Sequence, residues 1–379
     1  MKFGTKLIHN GNTMDKATGA LSVPIFQVST YHQDDVEKGQ EFDYSRSGNP
    51  TRKALEETIA LLEGGDRGFA FASGMAATSS VLSIFSSGDH IVMGEDVYGG
   101  TYRISTTFLK RFNVEVSFVD ASDPDAVKNS IKKNTKALFL ETPSNPLLKI
   151  TDLRRMVEIA KEHGLLTIID NTFMSPYLQR PLELGMDVVI HSATKFIGGH
   201  SDVVGGLAVV RGQELGSRIY AVQNGFGAVL GPQDSWLLLR GLKTLKVRLD
   251  YQQESARKLA ESLKRNKNVS RVFYPGLDGH KGKEVHFSQA DGAGAVLSFK
   301  AINEEIAGKF LKRVTTAAVA VSLGGVETIV SYPARMSHAS VPKQERERLG
   351  ITDTLFRVSV GLEDTDDLVE DFERALSGD

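Results

Sequence analysis

From residue 50 onward the chain alternates short apolar runs with stretches in which apolar residues return at helical spacing. The runs are GFAFA (68–72), HIVMG (90–94), VEVSFVD (114–120), KALFLE (136–141), LLTIID (165–170), VVIHS (188–192) and GLAVVR (206–211). Each is nearly continuous in apolar character, as expected of a strand covered on both faces. Between them lie helix patterns. PTRKALEETIALLEGG opens on Pro50, stops at Gly64 and Gly65, and carries Leu55, Ile59 and Leu62 on one face. TDLRRMVEIAKEHG starts at Thr151 as a cap, with Asp152 in its first turn, and ends at Gly164. Strand–helix alternation of this kind predicts right-handed crossovers and a largely parallel sheet with helices on both faces, an α/β fold.

The rhythm differs at the two ends. Residues 1–45 hold little periodic pattern, Pro24 and several glycines, and read as an extended N-terminal arm. Near residue 245 a long amphipathic helix, RLDYQQESARKLAESLKRN, bridges to isolated strands (VSRVFYP, GAVLSFK, FRVSVG) and a last helix, DLVEDFERAL. The predicted organisation is an arm (1–45), a large domain (46–245) and a smaller C-terminal α+β domain (246–379).

Composition narrows the function classes. With 379 residues, one core is too few and two domains are expected. A formal net charge of -2 gives no field that would draw the molecule to nucleic acid or an anionic membrane. No window resembles the roughly 18-residue uncharged stretch a membrane span needs, and MKFGTKLIHNG lacks the apolar core of a secretory signal. The absence of cysteine removes disulfides, thiolate metal sites and cysteine nucleophiles, and fits a cytoplasmic enzyme. His191, His200, His280 and His286 have no metal-ligand spacing and are assigned no metal.

In open parallel sheets, sites form beyond the carboxyl ends of the strands. LLTIID ends in Asp170, and VVIHSATK leads to Ser192, Thr194 and Lys195, one crossover unit later. A buried strand-end acid needs a cationic partner or a proton. One reading is an ordinary salt bridge. The other is a pyridine cofactor, whose ring nitrogen Asp170 keeps protonated while Lys195 holds the cofactor aldehyde as a Schiff base. FASGMAATSSVL places Gly74 and Met75 at a helix start, where backbone N–H groups can cradle a phosphate, or where Ser73 is simply a cap. Tyr98 follows the HIVMG strand and is either a ring that stacks on a flat cofactor or a surface turn residue. Arg357, inside the apolar strand LFRVSVG, calls for a carboxylate from protein or ligand. There is no GxxxxGK[ST] or GxGxxG loop, which counts against nucleotide chemistry.

Nearly the whole chain resembles the cystathionine γ-synthase, γ-lyase and β-lyase family of pyridoxal-phosphate enzymes. The motifs are YSRSGNPT, ASGMAA, DVYGGTYR, ETPSNP, IDNTF, HSATKFIGGHSDVVGG, GPQDSWLLLRGLKTL, SLGG and FRVSVGLED. The resemblance implies an aspartate-aminotransferase-like (fold type I) large domain and pyridoxal 5'-phosphate as cofactor. It implies Lys195 as Schiff-base lysine and proton shuttle, Asp170 against the pyridinium nitrogen, and Tyr98 over the ring and as a possible base. Gly74, Met75, Ser192 and Thr194 would bind phosphate. Tyr44 and Arg46 would reach the phosphate site of a neighbouring subunit, in a homotetramer built as a dimer of dimers. Arg357, Asn145 and the Ser322 backbone would hold the α-carboxylate of a sulfur amino acid.

Small differences bear on the substrate. Gly100 stands where methionine γ-lyases carry a cysteine. Arg103 resembles a residue that γ-lyases use near the distal end of cystathionine. Val321 stands where γ-lyases and γ-synthases have a glutamate for the distal ammonium. The expectation is a carbon–sulfur lyase, first a cystathionine γ-lyase giving cysteine, 2-oxobutyrate and ammonia, with β-lyase activity beside it. Behind it stand a γ-synthase or O-acylhomoserine sulfhydrylase, then a methionine or homocysteine γ-lyase. A pyridoxal-dependent regulator comes last, for want of a basic DNA-binding segment.

Overall fold

The structure, a computed structural model, describes residues 1–9, 15–339 and 341–377. Residues 10–14, part of the predicted arm, lie outside the described residues.

The seven apolar runs form one sheet. Its strands are β1 (Arg67–Phe71), β2 (His90–Gly94), β3 (Glu115–Val119), β4 (Thr135–Glu141), β5 (Leu166–Asp170), β6 (Val188–Ser192) and β7 (Gly206–Val210). They lie in the order β1-β7-β6-β5-β4-β2-β3. The pairs β3·β2, β2·β4, β4·β5 and β5·β6 are parallel, whereas β7 runs antiparallel to both β6 and β1. Turns rather than a helix fill 193–205. Without a helical crossover the chain returns beside β6 in the opposite sense. The central strands are closed to solvent: Ile168, Val188, Val189 and Ile190 are fully buried.

The flanking helices follow their sequence signals, with one shift. Pro50–Glu63 is capped by the Asn49 side chain, which accepts from the Thr51 and Arg52 amides, and stops at Gly64 with φ 71°. Leu153–His163 is capped by Asp152, not Thr151: the Asp152 carboxylate accepts from the Arg155 amide at 3.0 Å. Thr151 is instead buried, its amide held by the Thr142 hydroxyl. The arm is not wholly extended either. Phe3–Ile8 is helical, with Leu7 buried and the Phe3 ring 5.6 Å from that of Tyr177.

The long helix spans Leu245–Arg265 and leads into a second sheet of β8 (Val269–Phe273), β9 (Val296–Ala301), β10 (Ala318–Val319), β11 (Ile329–Ser331) and β12 (Leu355–Ser359), ordered β10-β11-β12-β9-β8. Helices Glu304–Arg313 and Thr365–Leu376 cover it over a cluster of phenylalanines. Phe310 is fully buried, with ring centroids 5.3 Å from Phe299, 5.0 Å from Phe356 and 5.2 Å from Phe372. No helix among the described residues is long and apolar enough to cross a membrane.

Because Phe310 is fully buried and packed against three aromatic neighbours, Phe310→Ala is expected to destabilise the small sheet by about 3–5 kcal/mol. Urea denaturation followed by circular dichroism checks this. A loss below about 1 kcal/mol, the size of a surface change, would contradict the packing described.

Candidate active site

The ends of three neighbouring strands bring the chemistry together. In the register of the sheet Glu141 pairs with Asp170, and Asp170 with Ile190, so the carboxyl ends of β4, β5 and β6 form one shelf. A cavity of about 600 Å³ opens above it. Its lining includes Gly74, Met75, Tyr98, Arg103, Asn145, Asp170, Ser192, Thr194, Lys195, Val321, Ser322 and Arg357. Twelve of the fourteen residues singled out in the sequence therefore converge on one space. Tyr44 and Arg46 do not reach it in their own chain. Tyr44 is about half exposed, and the Arg46 guanidinium sits 5.6 Å from the Tyr44 ring, with Nη1 donating to the Asn224 carbonyl at 3.4 Å.

Asp170 is enclosed, and among the described residues it forms no ion pair, so the ordinary salt-bridge reading fails. Its carboxylate accepts from the Thr172 amide at 3.0 Å and the Thr172 hydroxyl at 2.5 Å. Burial still holds its pKa above the usual carboxylate value, since the Thr172 bonds and the more distant His191 and Lys195 only partly oppose it. The Thr172 hydroxyl also accepts from the Ser192 amide at 2.8 Å, tying the ends of β5 and β6 together.

Lys195 donates from Nζ to the Ser322 hydroxyl at 2.6 Å. Burial, reinforced by the positive field of Arg357 and opposed by Asp170, lowers its pKa to about 8. A neutral amine is therefore accessible near neutral pH. Arg357, on β12, donates from Nη1 to the Asn145 side-chain oxygen at 3.0 Å, and from Nη2 to the Ser322 carbonyl at 2.7 Å and the Ser331 hydroxyl at 3.1 Å. Its Nε is buried without a partner. Burial brings its pKa down to about 10, and the Glu141 carboxyl works against that shift. Ser322 joins the two cations, its hydroxyl on Lys195 and its carbonyl on Arg357. It does so at φ 86°, a left-handed backbone rare for serine and of the kind found at functional sites.

Around Gly74 the cavity wall is a close approach of backbones. Ser73 caps the helix Gly74–Leu82, its hydroxyl taken by the Ala76 amide, so the first N–H groups of that helix have no intrahelical acceptor. A Cβ on Gly74 would lie 2.8 Å from the Ser192 Cβ, and one on Gly206 would lie 2.0 Å from the Ser73 carbonyl. Thr194 is engaged with Gly205, accepting from its amide at 3.1 Å. Gly100 is similarly confined: a Cβ there would meet the Tyr98 ring at 2.5 Å and the Met75 sulfur at 2.6 Å. Arg103 forms no ion pair among the described residues, and Val321 is 65% exposed at the cavity wall.

Glu141 and Thr172 carry no role in the sequence reading. Glu141 ends KALFLE just as Asp170 ends LLTIID, so the same strand-end rule would have found it. Its carboxylate accepts from the Tyr98 amide at 2.9 Å. Burial, then the nearby Asp170, pushes its pKa well above the carboxylate range. Thr172 lies two residues after a strand-end acid and inside the IDNTF motif, and that motif was its signal.

These residues fit pyridoxal phosphate. A buried carboxylate without a cation matches a protonated ring nitrogen, an amine of lowered pKa matches an aldehyde, and a glycine-lined helix start beside Ser192 matches a phosphate. Fold and site together define a fold type I pyridoxal-phosphate enzyme. The family model described as "Cys/Met metabolism PLP-dependent enzyme" matches residues 4–377. The cystathionine β-lyase MetC of Bacillus subtilis (strain 168) is 58% identical over 98% of this chain and 95% of its own. The cystathionine γ-lyase of the same organism is 52% identical over 99% of each chain. The crystal structure of cystathionine γ-lyase from Lactobacillus plantarum complexed with L-serine superposes with a TM-score of 0.96 at 46% identity, covering 99% of this chain and 98% of that one. The chain belongs to the Cys/Met metabolism PLP-dependent enzyme family, and it is a carbon–sulfur lyase of the trans-sulfuration type.

Thr172→Val removes a bond to a buried carboxylate and strands the Ser192 amide. The expected cost is about 1.5–3 kcal/mol, or roughly ten- to hundred-fold in affinity for pyridoxal phosphate. Equilibrium titration of cofactor-free protein reads this directly. An affinity within two-fold of the parent would show that Thr172 does not hold the shelf together.

Proposed function

We propose that this chain cleaves cystathionine, breaking the carbon–sulfur bond on the β side of the amino acid held by Arg357. The order of expectations from sequence put γ-cleavage first. The relative at 58% identity is a β-lyase and that at 52% a γ-lyase, which supports the reverse order. Chemistry points the same way. β-Elimination needs one proton removed, from Cα, and one basic amine of lowered pKa stands in the cavity, at Lys195. γ-Elimination needs a second removal, from Cβ, by the same amine or by Tyr98. It remains the second reading because Arg103 stands free of an ion pair in the cavity wall, as a residue serving the distal end of the substrate would.

The bound pyridoxal phosphate supplies the electron sink that makes the α proton acidic. The residues of the chain do the rest. The Arg357 fork, steadied by Asn145, Ser331 and the Ser322 carbonyl, receives the α-carboxylate and sets the orientation of the amino acid. Lys195 Nζ takes the α proton and returns a proton to the leaving sulfur, with the Ser322 hydroxyl holding the amine between transfers. Asp170, fixed by Thr172, keeps the ring nitrogen charged. Gly74, Met75, Ser192 and Thr194 hold phosphate. Tyr98, whose amide is tied to Glu141, covers the ring and is a second candidate base. Val321 leaves the distal ammonium without a carboxylate, and Arg103 meets the distal carboxylate.

The exposed Tyr44 and Arg46 support an oligomer in which they complete the phosphate site of a neighbour, in a homotetramer of two such dimers. The absence of cysteine supports a cytoplasmic enzyme. The arm (1–45), large domain (46–245) and small domain (246–379) are the corresponding units.

The observation that carries the reading is the pairing of an amine of lowered pKa with a buried acid that has no cation of its own. Incubation with L-cystathionine, followed by identification of the keto acid, is expected to give pyruvate, the β product. 2-Oxobutyrate alone would establish the γ reading, and neither acid would end both. Lys195→Ala is expected to lose at least ~10³-fold in kcat, as for removal of a principal proton-transfer group; near-parental turnover would refute its role. Arg46→Ala is expected to weaken pyridoxal phosphate binding by about ten-fold, the loss of one charge-assisted contact. Unchanged binding would refute the shared site.

A further inference from the structure

A second cavity, of about 660 Å³, lies outside the site described above. Leu147–Ile150 form one wall of it, while Asn145 of the same loop lines the cavity of Lys195. The opposite wall is β8 and the strand beside it, β9. In their register Arg271 stands directly across from Lys300. Like charges facing each other on neighbouring strands are destabilising unless something lies between them. Nothing in the chain does so: among the described residues neither Arg271 nor Lys300 forms an ion pair. Arg271 instead lies over the Phe273 ring, at 4.8 Å from its centroid. Lys300 is partly buried, and that burial, then the charge of Arg271, holds its pKa below the usual lysine value.

The three acids around the cavity are already occupied. Asp120 binds Lys149 at 3.2 Å, Asp278 binds Lys283 at 2.6 Å, and Asp152 caps its helix by accepting from the Arg155 amide at 3.0 Å. Lys264 donates to the Asp278 carbonyl at 3.3 Å, and among the described residues neither it nor Lys281 forms an ion pair. The charge left over is thus positive, shared by Lys264, Lys281, Arg271 and Lys300, and of these Arg271 and Lys300 stand directly across from each other on paired strands. Leu147, Leu277 and Val285 give the remaining wall an apolar face. The size lies within the range of small-molecule sites, roughly 300–1,000 Å³.

We propose that this cavity is a binding site for a small organic phosphate, a monoester with a dianionic head on Arg271 and Lys300 and an apolar body against Leu147 and Leu277. A compact dianion fits two cations fixed side by side, and the guanidinium fork matches phosphate oxygens. The site touches the substrate clamp through short bonds. The His280 Nε2–H donates to the Leu148 carbonyl at 2.8 Å, Leu148 donates to the Ser144 carbonyl at 2.9 Å, and the Ser298 hydroxyl on β9 donates to the Pro146 carbonyl at 2.7 Å. Asn145, which holds Arg357, lies between them. A ligand that orders the cavity wall therefore orders the loop that aims Arg357.

The test uses the full chain loaded with pyridoxal phosphate, so that its cofactor phosphate site is filled, and phenyl phosphate as the probe. Isothermal titration is expected to show one site per chain, with benzyl alcohol giving no heat. The double variant Arg271→Gln, Lys300→Gln is expected to bind at least ten-fold more weakly. Thermal melting guards against misfolding. The variant without ligand should melt no lower than the parent, because a repulsion has been removed, and phenyl phosphate should raise the midpoint of the parent only. In the parent, amide exchange over 144–150 should slow when the probe binds. No binding at millimolar phenyl phosphate, or equal binding by the folded variant, would overturn the site. Unchanged exchange over 144–150 would overturn its coupling to the clamp. None of these readouts depends on which carbon–sulfur bond the enzyme breaks.

Discussion

A carboxylate taken out of water without a cation of its own is the constraint on which this site depends. Burying such a group costs several kcal/mol unless a charge or a proton answers it. Among the described residues Asp170 accepts hydrogen bonds only from Thr172, with His191 and Lys195 farther off, and burial raises its pKa. The chain alone leaves that charge unanswered, and a protonated pyridine nitrogen would answer it. The same burial that raises Asp170 lowers Lys195, so a single enclosed space prepares both groups for one cofactor.

Why the groups meet is a matter of sheet geometry. Parallel strands deliver their carboxyl ends to one edge, and β4, β5 and β6 each finish on a polar residue there. The second sheet contributes from the opposite side. Arg357 leaves the middle of β12, where every other residue of the strand is buried, and crosses to the loop after β4 to find Asn145. Ser322, in the left-handed region, binds both cations and so sets the position of Lys195 and Arg357 together. The shelf is built by local sequence, but the clamp is built by the packing of one sheet against the other.

Local signals were strong wherever one physical effect dominated. Continuous apolar runs gave the strands, Pro50 and Gly64 bounded a helix, and a strand-end acid pointed to a polar site. They weakened where effects competed. Both Thr151 and Asp152 can cap a helix, and the choice fell to Asp152 because Thr151 is held by Thr142. The reversal of β7 was invisible in its composition, since a buried antiparallel strand and a parallel one have the same apolar pattern. Glu141 followed the strand-end rule as well as Asp170 did, but its contact with a backbone amide from another loop is one that no spacing reveals.

By itself the sequence determined the α/β layering, twelve residues of the cavity wall and, through its motifs, the family. These depend on residue type and on neighbours a few positions away. Only the tertiary structure decided that Asp170 has no ion pair among the described residues, that burial brings the pKa of Lys195 down to about 8, and that Arg271 faces Lys300 across two strands. Each of those is a property of solvent exclusion or of distance between residues remote in the chain. Dielectric screening and contact are set by what packs around a group, and the order of residues does not state it.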